Sequence, residues 1–133
     1  MFAIHPVAIY CTAALGVLLF LLGLAVSICR FRSGIGSGLA PERNGLLNKV
    51  IRAHANTAEF APFLVVLFLY FGWRGPSDMV VYMIIAVTLC RYLLVIGLLA
   101  WPSLSRPNPA RFVGALGTYL LGTALCVAMV AGL

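Results

Sequence analysis

Four apolar stretches account for most of the chain: Pro6–Cys29, Val50–Gly72, Met79–Ala100 and Phe112–Leu133. Each reaches the length of about 20 residues that a helix needs to cross a bilayer. Lipid offers no partner to an open backbone N–H or C=O, so an unpaired strand edge is excluded there. Four membrane-crossing helices follow, as one all-α, integral membrane four-helix bundle over residues 1–133. Charged residues make up 9% of the sequence and hydrophobic ones 63%. A soluble domain carries about 25% charged residues. The first span does not read as a cleavable signal peptide. No basic residue precedes it, its core is too long, and Arg30 and Arg32 follow it.

Nine Lys and Arg against three Asp and Glu give a formal charge of +6. These charges are placed for orientation, and no nucleic-acid motif accompanies them. The first loop carries Arg30, Arg32, Arg43 and Lys49, and the third carries Arg106 and Arg111. The second holds only Arg74 and Asp78. By the positive-inside rule, loops one and three face the cytoplasm and both termini face the other side. The cysteines (Cys11, Cys29, Cys90 and Cys126) lie in or at the ends of spans without metal-ligand spacing and read as small apolar residues. No metal site is expected. Gly114, Gly117 and Gly122, with Gly97 in the third span, suit close helix contacts.

The head of the second span is the exception to this apolar pattern. Arg52, Asn56, Glu59 and Phe63 are four, three and four residues apart, which places them on one helix face, with His54 roughly opposite Arg52. Ionisable groups at such depth cost several kcal/mol unless paired or hydrated, which marks them as functional candidates. Glu59 lies about 13 Å from the basic end of its helix, and Arg91, on the antiparallel third helix, lies at about the same depth. They are expected to be counter-ions. Arg30, Arg32, Arg106 and Arg111 ring the cytoplasmic mouth. Two readings remain open at this point. Glu59 and Arg91 lock two helices together, or they belong to a cationic pocket where a small cytosolic anion meets an apolar partner dissolved in the membrane. A small transporter using Glu59 is a third reading, disfavoured by the one-sided ring of charge.

The sequence resembles the family of membrane-associated proteins in eicosanoid and glutathione metabolism. The motif Arg-x-x-x-Asn-x-x-Glu-(aromatic)-x-Pro stands here as Arg52, Asn56, Glu59, Phe60 and Pro62. The lone intramembrane arginine of the third helix is Arg91, and Pro-x-Arg at the entry to the fourth is Pro109 and Arg111. The resemblance implies a homotrimer embedded in lipid, with glutathione as cosubstrate held between neighbouring subunits and an apolar small molecule as the second substrate. It implies that Arg52, His54, Asn56 and Glu59 contact glutathione, with Arg91 in support, and that Arg30 or Arg32 binds a carboxylate or the thiolate. Arg111 is the first choice for the arginine that stabilises the thiolate, and Arg106 the second. Positions where enzymes of the family carry Tyr or His on the third helix are Leu94 and Leu98, and the aromatic after Glu59 is Phe60, without a hydroxyl. Tyr119 reaches the site only if packing turns it there. The implied activity is a glutathione transferase or peroxidase. The alternative is a non-catalytic protein of the same fold that binds a lipid or a small anion.

Overall fold

The structure, a computed structural model, describes residues 4–133. Four helices follow one another: α1 (Pro6–Ser33), α2 (Leu46–Arg74), α3 (Asp78–Ala100) and α4 (Pro109–Ala131). All four are long and apolar enough to cross a membrane, and the described residues contain no strand. Three helices extend beyond the apolar runs at the basic end. α1 continues one turn past Cys29 until Gly34 takes a left-handed conformation at φ 69°, where a residue without Cβ is favoured. Arg30 Nη1 donates to the Ile35 carbonyl at 3.3 Å and holds the chain as it leaves the helix.

α2 begins at Leu46, one turn before the apolar run. The buried Asn48 gathers the incoming loop, accepting from Ala40 N at 2.8 Å and donating to the Ala40 and Glu42 carbonyls at 2.9 Å each. α4 begins at Pro109, where the missing N–H costs nothing. Asn108 caps it by accepting from Arg111 N at 2.8 Å.

α1 packs along α2 and α3 along α4, with α3 also touching α1 and α2. α2 and α4 run parallel and touch only lightly, which leaves a groove between them. The core has two clusters. One, away from the basic end, gathers Leu15, Leu64, Phe68, Phe71 and Ile84. The other, toward the basic end, gathers Leu18, Leu22, Ala53, Leu94 and Leu98. Small residues set the closest approach. A Cβ on Gly114 would lie 2.6 Å from Leu94 N and 2.7 Å from the Cys90 carbonyl. A Cβ on Gly97 would lie 2.6 Å from Arg111 N. The glycines of α3 and α4 therefore bring these two backbones into direct contact.

Candidate functional site

The α2 motif does present one face. Arg52, Glu59 and Phe63 are exposed along it and Asn56 is half-buried. Seven residues of helix separate Arg52 from Glu59, about 10 Å along the axis. At the basic end this face opens into a pocket of about 290 Å³. Three guanidinium-bearing residues line it: Arg43 from the first loop, Arg52 from α2 and Arg111 from α4. No carboxylate lines it with them. Arg111 is held in place, because its Nη1 donates to the Leu104 carbonyl at 2.8 Å. Leu104 N in turn donates to Asn44 Oδ1 at 3.0 Å, tying the first loop to the third. Asn108 adds a second tie, its Nδ2 donating to the Gly97 carbonyl at 3.0 Å. Deeper between α2 and α4 lies a groove of about 370 Å³, lined by Glu59, Phe60, Phe63, Leu67 and Tyr119 among others. The sequence thus arranges a cationic mouth, a single carboxylate about two turns further in, and an apolar channel beyond.

Arg91 is fully buried and does not meet Glu59 as expected. Its Nη2 donates to Asn56 instead, at 3.0 Å to the backbone carbonyl and 2.7 Å to Oδ1. Its guanidinium carbon lies 5.2 Å from the centre of the Phe60 ring, a cation–π distance. Phe60 packs in turn on Tyr119, with ring centres 5.6 Å apart. The depth estimate concerns height alone. Around the helix axes, Arg91 turns to Asn56 and Phe60, while Glu59 stays on the exposed face of α2. Arg91 Nε and Nη1 are buried without a partner.

The motif residues and the four crossing helices thus stand in one arrangement. The sequence matches the model of the MAPEG family over residues 8–131. The chain belongs to the MAPEG family. No curated protein and no solved structure matches it. In this MAPEG chain Arg52 and Arg111 share a pocket and Glu59 lines the adjoining groove. The other expected residues lie elsewhere in the single chain. His54 points to α1, its Nε2 lying 3.3 Å from where a Cβ on Gly23 would be. Arg30 holds the end of α1. Arg32 sits beside Cys29 and Glu42, and Arg106 beside Asn44 and Trp101, each in a separate pocket. Leu94 and Leu98 are buried in the core cluster of Leu18 and Leu22. Three residues that shape this pocket and its loops were not singled out for it from the sequence: Arg43, Asn48 and Asn108. Only Asn108 had a local signal, a cap residue directly before a proline.

Proposed function

We propose that this MAPEG protein is a membrane-bound glutathione-dependent transferase or peroxidase, working as a homotrimer on apolar electrophiles. The carrying observation is the pocket lined by Arg43, Arg52 and Arg111 with no carboxylate among them. Guanidinium groups match carboxylates in geometry and keep their charge. Glutathione offers two carboxylates, one ammonium and one thiol. A tripeptide spans about 10 Å, which is also the separation of Arg52 and Glu59 along α2. Arg43 and Arg52 then take the glycine carboxylate, and Glu59 takes the ammonium at the γ-glutamyl end.

Arg111 is assigned to the sulfur. A nearby cation favours the thiolate, which is the nucleophile, over the thiol. The thiolate adds to an electrophilic carbon and expels its leaving group. With a hydroperoxide, two glutathiones give one disulfide, one alcohol and one water. On the positive-inside reading the pocket lies at the cytoplasmic face, where glutathione arrives, and the groove leads from it toward the membrane that supplies the apolar partner.

The trimer is supported by Arg52 and Glu59, which a lone subunit leaves exposed at membrane depth. A neighbour covering this face with the end of its own α1 would add its arginines to the pocket. Native mass spectrometry from detergent tests the stoichiometry. For the chemistry, Arg111→Ala is expected to lower turnover at least tenfold with the fold intact, and Arg106→Ala to leave it unchanged. Full activity in both variants would refute the assignment of the sulfur.

A second reading, a non-catalytic binding protein, is favoured by the burial of Leu94 and Leu98 and by the missing hydroxyl at Phe60. It is distinguished by binding without thiolate formation.

A further inference from the structure

The groove between α2 and α4 changes character along its length. At the basic end it adjoins Arg52 and Arg111. Its deep part is mostly apolar, with Phe63, Leu67 and Cys126, and its one further hydroxyl, Thr123, lies a turn deeper than Tyr119. Glu59 and Tyr119 stand where the two parts meet. A substrate whose chain fills the apolar part and whose reacting end faces the arginines must place its polar atoms at this junction.

Hydrogen-bond donors are scarce there. Leu94 and Leu98 are buried in the core, so these two α3 positions supply none. The Thr118 hydroxyl is taken by the Gly114 carbonyl at 2.7 Å. Glu59, when ionised, is an acceptor only. Tyr119 is 51% exposed and its ring is held on Phe60. Side chains on a helix lean toward its N-terminus, which in α4 is the arginine end. The phenol therefore leans from the apolar channel toward the charged pocket.

We propose that the Tyr119 hydroxyl binds the oxygen beside the reacting centre of an oxygen-bearing apolar electrophile, such as a lipid hydroperoxide, whose chain lies along Phe63 and Leu67. This rests on the glutathione reading above. Tyr119 is then a specificity residue that favours oxygenated acceptors over alkyl halides of similar size. It supplies from α4 a hydroxyl that α3 lacks at Leu94 and Leu98.

Tyr119→Phe keeps the ring on Phe60 and removes only the hydroxyl. The test compares kcat/KM for a fatty-acid hydroperoxide and for an alkyl iodide in the detergent-purified protein, with glutathione binding measured by equilibrium dialysis. The expected result is a loss of about tenfold for the hydroperoxide, the equivalent of one hydrogen bond. The iodide rate and glutathione binding stay unchanged. Equal rates for wild type and variant on both substrates, or an equal loss on both, would overturn the proposal. A wild-type protein that fails to bind glutathione would overturn the reading beneath it and this inference with it. Dialysis separates that case before any turnover is measured.

Discussion

Asn108 joins α3 to α4 and fixes the backbone from which Arg111 projects, so its removal should be felt in both stability and binding. It is 4% exposed. Its Oδ1 caps α4 through Arg111 N, and its Nδ2 serves the Gly97 carbonyl in the last turn of α3, where carbonyls lack helical partners. Losing an N-cap costs about 0.5–2 kcal/mol. Leaving a buried acceptor without its donor costs about 1–3 kcal/mol. Asn108→Ala should therefore lose about 2–4 kcal/mol, allowing for overlap between the two effects. Asn108→Ser keeps a capping oxygen and loses only the bond to Gly97, so roughly half that loss is expected. Equilibrium unfolding in mixed micelles, followed by the fluorescence of Trp73 and Trp101, reads both variants. An Asn108→Ala protein that unfolds at the wild-type midpoint would refute the claim that this side chain joins the helices. A Ser variant equal to wild type would remove the Gly97 bond from the account.

Three further substitutions probe the surroundings of the site. Gly114→Ala places a methyl 2.6 Å from the α3 backbone at Leu94 N, and should cost about 1–3 kcal/mol by forcing the helices apart. Gly122→Ala, whose nearest neighbour would be Leu64 Cδ2 at 3.8 Å, should be neutral or slightly stabilising in the same unfolding assay. Asn56→Leu removes the side-chain acceptor of the buried Arg91 and should cost about 2–4 kcal/mol. Unchanged stability there would mean that the guanidinium has another partner in the assembled protein.

The helix count was legible because run length is an average property that single residues do not upset. The helix ends were less so. α2 starts at Leu46 because Asn48 binds carbonyls six and eight residues earlier in the chain, and no periodic pattern announces such bonds. The shared face of Arg52 and Glu59 was legible because helical spacing dictates it. The direction of Arg91 was not, since depth along two helices leaves their rotation open. Loop arginines divided for the same kind of reason. Arg43 and Arg111 enter the pocket and Arg106 does not, because Asn44, Asn48 and Asn108 set the loop paths. Gly97, Gly114 and Gly117 read correctly as close contacts, since only a residue without Cβ tolerates such an approach, whereas Gly122 has room for a Cβ.

The central claim is that the arginine pocket binds glutathione and ionises it. Ultraviolet difference absorbance of the detergent-purified protein, titrated with glutathione at neutral pH, tests this directly. The expected result is a saturable thiolate band that Arg111→Ala abolishes. No band from an intact oligomer would contradict the claim, and the non-catalytic reading motivated by Leu94 and Leu98 would take its place.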